Sequence, residues 1–262
     1  MKNTKILPIS VVIPAYNEEK NIGKTLDSLM KMAYKPSEVI VVNNASVDNT
    51  QKVAKSYKNK FKLKKIKYIV LNEKIKGVAR ARNKGFRLAT NSVIASTDAD
   101  TTVDKNWIKN INLHFKKNNS IAVTGKIIME NAPLLVKKIT QLGWYGFLTK
   151  FLSLIFGFQT ISTANSAIKK KWYLKIGGFD NSIISPHGID DTEISSRLSK
   201  HGQIRYDNKI LVYSSFRKYK NIKNALNTIC KMSKAWIEIS KKRKQNHFSS
   251  ILFSYFNGPR FS

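Results

Sequence analysis

The sequence predicts an α/β fold, a mostly parallel central sheet wound by repeated strand–helix units and covered by helices on both faces. Three observations predict it. Strand-like and helix-like segments alternate from Ile9 to Trp107. The strand runs, among them Ile9–Pro14 and Val39–Val42, are apolar throughout rather than alternating, as in strands buried on both faces. Three of the four runs pass directly into polar clusters, at Tyr16–Glu18, Asn43–Asp48 and Asp98–Asp100. In open α/β sheets ligands sit at the carboxyl ends of strands, where loops crowd polar groups around a crevice that the strands hold still.

Taken in order, Ile9–Pro14 is the first strand. Asn17–Met32 follows as a helix, with Ile22, Leu26, Leu29 and Met30 at helical spacing and Asn17, Glu18 and Glu19 in its first turn. Val39–Val42 is the second strand, and Asp48 opens a helix running through Tyr57. Ile66–Leu71 is the third strand, Gly77–Ala89 a helix and Val93–Ala95 the fourth strand, with a further helix signal at Trp107. The fourth strand drives into Asp98 and Asp100, one residue apart. Two such carboxylates repel unless a cation lies between them, and Mg²⁺ or Mn²⁺ carrying a diphosphate would resolve the repulsion. The same residues also suit the cap of the helix that begins near Asp104, and Asn17 and Asp48 suit caps as well as ligand contacts. Convergence of three clusters on one sheet edge predicts a nucleotide-sized crevice.

Composition narrows the classes. With 262 residues and 42% hydrophobic content the chain buries a sizeable core. A single cysteine, Cys230, excludes a disulfide framework and a four-thiolate metal site. The first apolar run is short and broken by Pro14, so no secretory signal is expected, and a cytoplasmic location follows. The balance of 47 Lys and Arg against 16 Asp and Glu gives a net charge of +31, a field that attracts polyanions of any kind: nucleotide phosphates, an anionic membrane face or nucleic acid. Nucleic acid is disfavoured, because the lysines are spread along the chain with no compact nucleic-acid motif.

Six motifs then fall in register: VVIPAYNEE at Val11–Glu19, VIVVNNASVDNT at Val39–Thr50, GVARARNKG at Gly77–Gly85, STDADT at Ser96–Thr101, TANSAIKKKWYLKIGGFD at Thr163–Asp180 and GIDDTEISSRLSKHG at Gly188–Gly202. Over roughly residues 6 to 215 the chain resembles the family 2 glycosyltransferases of the GT-A fold. The resemblance implies a nucleotide-diphosphate-sugar donor, a Mn²⁺ or Mg²⁺ ion, and inversion at the anomeric carbon by direct displacement. It places Pro14, Ala15, Tyr16, Glu18 and Ser46 around the nucleotide, with Arg82 and Asn83 facing the same crevice, where a guanidinium can meet phosphate oxygens. Asn44 stands where the family usually has an Asp that reads the base. An amide both accepts and donates, and uracil remains the leading base. Asp98 and Ala99 take positions near ribose and metal, and Asp100 that of the direct metal ligand.

The second carboxylate pair, Asp190 and Asp191, matches the family's Glu-Asp, with Asp191 as catalytic base. An acceptor hydroxyl needs a positioned carboxylate to take its proton as the new bond forms. The pair also suits the acidic first turn of a helix ending near His201, anchored by Thr192, Ile194 and Leu198. Asn165, Gly178, Phe179 and His187 complete the expected donor-sugar or acceptor region, with Gly177–Gly178 as a tight turn. The chain has Tyr213-Ser214-Ser215 where many relatives place a His, and it lacks the Gln-x-x-Arg-Trp signature of processive synthases. Transfer of a single sugar is therefore expected.

The domain is expected to span residues 1–215, followed by a basic helical extension over 216–262, with Asn221–Lys242 as an amphipathic helix. Within the domain, 133–158 reads as an insertion. Its Leu142–Phe158 stretch is shorter than the ~20 apolar residues needed to span a bilayer and is interrupted by Lys150. It suits a helix lying on an anionic membrane or a helix packed in the core. The membrane alternative predicts a lipid-linked or glycan acceptor at the cytoplasmic face. Two other functions compete. One is a nucleotidyltransferase of related fold, which would carry a glycine-rich phosphate loop where this chain has Tyr16-Asn17-Glu18-Glu19. The other is a catalytically dead basic module for membrane or nucleic acid.

Overall fold

A computed structural model describes residues 6–117, 120–182, 189–219, 234, 237–239 and 241. Four strands, β1 (Ile9–Ala15), β2 (Glu38–Asn44), β3 (Lys67–Glu73) and β4 (Val93–Thr97), form the parallel half of one sheet. Alternate residues face opposite layers, the period of an extended chain. Val11, Ile13, Val39 and Val41 join a core cluster with Leu26, Phe61 and Trp107, whereas Val12, Ile40 and Val42 join another with Phe86, Tyr173 and Ile194. Both faces are thus covered, as the apolar strands predict.

The first cluster is roofed by α1 (Ile22–Lys31), α2 (Thr50–Ser56), α3 (Lys58–Leu63) and α5 (Trp107–Lys117); the second by α4 (Val78–Leu88), α8 (Lys170–Lys175) and α9 (Ile189–Leu198). The expected α1 start at Asn17 is corrected: the helix begins at Ile22, and Asn17 adopts a left-handed backbone at φ 53°. Its polar first turn is used instead to bind another loop. The expected opening of the next helix at Asp48 is also corrected: α2 starts at Thr50 with Asn49 as its N-cap, and Asp48, one residue before the cap, accepts from the Thr50 backbone amide at 2.9 Å.

The other half of the sheet is mixed. β5 (Thr101–Val103), β6 (Ala122–Met129), β7 (Asn165–Lys169) and β8 (Ile204–Ser214) complete the order β3-β2-β1-β4-β7-β6-β8-β5. β7 enters antiparallel between β4 and β6, and β5 pairs antiparallel with β8. β6 and β8 run parallel, with a bulge at Gly125/Lys126. The strand β4, which ends at Thr97 just before Asp98, is thereby central.

The 133–158 insertion is two helices, α6 (Leu134–Gln141) and α7 (Trp144–Phe156). One face of α7 packs closely. A Cβ on Gly146 would lie 2.2 Å from the Tyr206 ring, so only glycine lets the helix reach β8 there, and Thr149 is buried. The remainder is open. Leu134, Leu142, Phe147 and Phe151 are exposed, and Leu154 is 84% exposed. No described helix is long and apolar enough to cross a membrane. The Asn221–Lys242 helix, the 248–262 tail and Cys230 fall almost entirely outside the described residues.

Candidate active site

Two loops at the carboxyl edge of β1 and β2 are tied together by their own polar side chains. Asn17 donates its backbone N–H to Ser46 Oγ (3.0 Å) and accepts at Oδ1 from the Val47 backbone (2.9 Å). The Glu18 amide meets Thr50 Oγ1 at 2.7 Å, the Glu19 amide meets Asp48 Oδ2 at 3.1 Å, and Glu19 Oε2 accepts from the Asn49 backbone at 2.9 Å. Ser46 thus holds the β2 loop against the β1 loop. Pro14 and Ala15 are buried at the end of β1, and the Tyr16 ring projects, 39% exposed. Lys76 flanks that ring, its Nζ 2.8 Å from the Tyr16 hydroxyl.

Asn44 is buried, and both ends of its amide are engaged. Oδ1 accepts from the Gly77 backbone and Nδ2 donates to the Ile75 carbonyl, each at 2.8 Å. It latches the loop that carries Lys76 to the end of β2. The side chain thereby fixes the loop at residues 75–77 against the end of β2.

Arg82 on α4 is the electrostatic centre. Its Nη1 lies 2.7 Å from Asp190 Oδ2 and its Nη2 3.1 Å from Asp98 Oδ1, and its side chain is 6% exposed against 4% for Asp190. In this structure the guanidinium joins the acidic loop after β4 to the acidic start of α9. Asn83, one residue on, is bonded to the segment around Phe179. Its Nδ2 donates to the Phe179 carbonyl (2.8 Å), and its Oδ1 accepts from the Phe179 backbone (2.9 Å) and the Tyr173 hydroxyl. Gly178 has φ 85°, and a Cβ there would come 2.7 Å from Asn83 Oδ1 and the Tyr173 hydroxyl. The double-glycine turn is real, yet the close approach it permits is to Asn83. Phe179 is buried edge-on to Phe86.

Asn165 is likewise corrected out of the acceptor region. It is fully buried, accepts from Trp107 Nε1 at 2.8 Å and donates to the carbonyls of Lys126 and Ile210 at 2.9 Å each, pinning the β6 bulge to β8. His187 lies outside the described residues.

Asp191 differs from its neighbour. Oδ2 accepts from the Thr163 backbone at 3.2 Å, while Oδ1 is shielded and has no hydrogen-bond partner among the described residues. Burial of the carboxyl, and after it the Asp190 charge, push its pKa up to about 7 against the opposing pull of Arg82 and Thr163. A carboxylate with one uncommitted oxygen and a pKa near neutrality has the properties of a general base.

The third acidic group is Glu18 with Asp100. Arg217, on a 3-10 turn after β8 (Phe216–Tyr219), places Nη2 2.5 Å from Glu18 Oε1 and 3.4 Å from Asp100 Oδ2. Asp98 and Asp100 are thus served by two different guanidinium groups, which settles their repulsion without an ion between them. Hard carboxylate oxygens that already seat a cation also fit Mg²⁺ or Mn²⁺. Among the described residues no group of three or more His, Cys, Asp and Glu gathers for a metal. The protein would therefore contribute one or two ligands, with phosphate oxygens supplying others, the usual pattern for Mg²⁺. Glu18 and Arg217 were not read from the sequence as a pair, because 199 residues separate them.

Comparison with known proteins bears on the family and the fold. Over 210 residues the chain is 29% identical to a poly-beta-1,6-N-acetyl-D-glucosamine synthase of Staphylococcus epidermidis, covering 78% of this chain and 49% of that protein. The chain thus spans about half the length of the curated relatives it matches. Among solved structures, a mannosyltransferase of Pyrobaculum calidifontis in complex with GDP-Man and Mn²⁺ superposes with a TM-score of 0.65 at 21% identity, covering 81% of this chain and 58% of that one. TarS 1-349 of S. aureus in complex with UDP-GlcNAc gives 0.61 at 20% identity, with coverage of 80% and 58%. These likenesses establish the GT-A fold that the motifs imply. The profile for glycosyl transferase family 2 matches residues 10–177, and the chain belongs to that family.

Proposed function

We propose that the chain transfers a single sugar from a nucleotide-diphosphate-sugar to an acceptor hydroxyl or phosphate, with inversion, using Asp191 as the base. The observation that carries this reading is the Asp191 carboxylate: at the start of α9, with Oδ1 uncommitted among the described residues and its pKa raised to about 7, next to the Asp190–Arg82–Asp98 bridge that leads to the loop after β4. Asp191 takes the acceptor proton while α9 and the Thr163 amide hold it in place. Asp190 and Asp98, clamped by Arg82, fix the distance between base and donor loop. Tyr16 offers an exposed ring on which a base can stack, with Lys76 beside it. Asp100 and Glu18 would hold Mg²⁺ or Mn²⁺, which when bound neutralises the departing diphosphate. Support for a nucleotide-sugar donor comes from the family and from the UDP-GlcNAc and GDP-Man bound by the structural neighbours. UDP is the leading nucleotide.

Isothermal titration of UDP, GDP, dTDP and CDP, each with and without Mn²⁺, tests this directly. One diphosphate is expected to bind, and only with metal; equal affinity with and without metal removes the Asp100 assignment, and binding of none removes the donor reading.

A lipid-linked acceptor at the cytoplasmic membrane face belongs to the same proposal. It is supported by the exposed apolar surface of α6 and α7, by Lys137, Lys138 and Lys150 within it, and by the net charge of +31. The protein is expected to float with anionic liposomes at low salt, with a blue shift of Trp144 emission that Trp144→Phe removes. Sedimentation away from liposomes at every salt concentration would contradict it.

A further inference from the structure

Arg217 is the most exposed member of the Glu18–Asp100–Arg217 cluster. Its side chain is 46% exposed, against 12% for Glu18 and 4% for Asp100. The carboxylates are fixed from behind. Glu18 Oε2 accepts from Asn21 Nδ2 at 2.7 Å and its backbone is bound to Thr50, while Asp100 sits in the tight turn closed by the Thr101 amide on the Asp98 carbonyl at 3.2 Å. Arg217 stands on a single 3-10 turn at the end of β8. Its guanidinium lies against the same carboxylate oxygens that a divalent cation would take, and both cations cannot occupy them together.

We infer that Arg217 is a resident counter-ion exchanged for the metal–diphosphate unit: it neutralises Glu18 and Asp100 before the donor arrives, is displaced from them by the metal, and then binds the diphosphate oxygens. The inference rests on the donor reading above. Charge balance requires this coupling. Freed from two carboxylates, a guanidinium beside a diphosphate finds acceptor oxygens suited to its planar fork. A metal arriving alone must displace Arg217 with no new anion to receive it, so the metal binds weakly without diphosphate.

The two halves predict opposite effects of one substitution. Manganese binding without nucleotide, followed by electron paramagnetic resonance of free Mn²⁺, is expected to be about twofold to fivefold tighter in Arg217→Ala than in the parent, because an exposed pair of this kind opposes the metal by up to ~1 kcal/mol. Binding of inorganic pyrophosphate with Mn²⁺ is expected to weaken by about tenfold or more in the same variant, since a charge-assisted contact is lost. Arg217→Lys should fall between, keeping the charge without the fork. Unchanged affinities in both assays, or weaker binding in both, would overturn the exchange. Pyrophosphate carries no base or sugar, so the result stands apart from donor identity. If the parent binds Mn²⁺-pyrophosphate but none of the nucleoside diphosphates, the donor reading fails while Arg217 is still tested.

Discussion

Asp191→Asn is expected to lower turnover by about 10²–10⁴-fold, the usual contribution of a positioned general base, while leaving donor affinity within about twofold of the parent. The isosteric amide keeps the Thr163 contact through its carbonyl oxygen but cannot take a proton. The pH profile provides an independent check. Only the carboxylate form of Asp191 acts as a base, so kcat/KM should rise with pH through a midpoint near 7, where burial and Asp190 have moved this carboxyl, and level off above it. Asp190→Asn removes a neighbouring negative charge and should move that limb to lower pH. The linked stability runs in the opposite sense: a carboxyl raised from 3.8 to about 7 on folding favours the protonated native state, a contribution present below pH ~4 and lost as pH rises through about 7. A profile flat from pH 5 to 8, or full activity in Asp191→Asn, would exclude Asp191 as the base.

Arg82→Leu is expected to cost about 3–5 kcal/mol of stability, the range for removing one partner of a buried ion pair. The estimate applies mainly to Asp190, whose side chain is 4% exposed; Asp98, at 24%, can recruit water. Loss of the guanidinium leaves Asp190 in the core without its cation, and also removes the charge that holds Asp191 down. The variant should therefore unfold at lower denaturant and, where folded, show its activity limb at higher pH. Arg82→Lys, which keeps the charge without bridging both carboxylates, should recover part of the stability. Denaturant titration of both variants decides the matter: a loss under 1 kcal/mol in Arg82→Leu would mean that the bridge is not what joins α9 to the donor loop.

Much of this was legible in the sequence, for physical reasons that differ by element. The apolar runs of β1, β2 and β4 identify buried parallel strands, since no amphipathic alternative fits Val11–Ile13 or Val39–Val42. Thr192, Ile194 and Leu198 announced the buried face of α9. Asp191 was readable because its neighbours form a motif. What could not be read were partners distant in sequence. Arg82 and Asp190 are 108 residues apart, and only the fold shows that a guanidinium in the middle of α4 is claimed by carboxylates. The polar residues 17–19 looked like a helix start because capping and loop-to-loop bonding use the same side chains; tertiary contacts with residues 46–50 took them for the second purpose. The antiparallel β7 was hidden because Asn165–Lys169 carries no periodicity that distinguishes strand direction.

The lacing of residues 17–19 to residues 46–50 carries a kinetic consequence. Ordering a loop on ligand arrival delays capture and reduces affinity by the entropy of the residues that must be fixed. Here that ordering is complete before any ligand arrives, because each loop supplies the hydrogen-bond partners of the other. The nucleotide should associate as with a rigid surface, at a rate governed by diffusion and by the strongly positive field of the chain, and association should slow steeply as salt is added. Residence time, by contrast, should be insensitive to salt, being set by short-range contacts within the crevice.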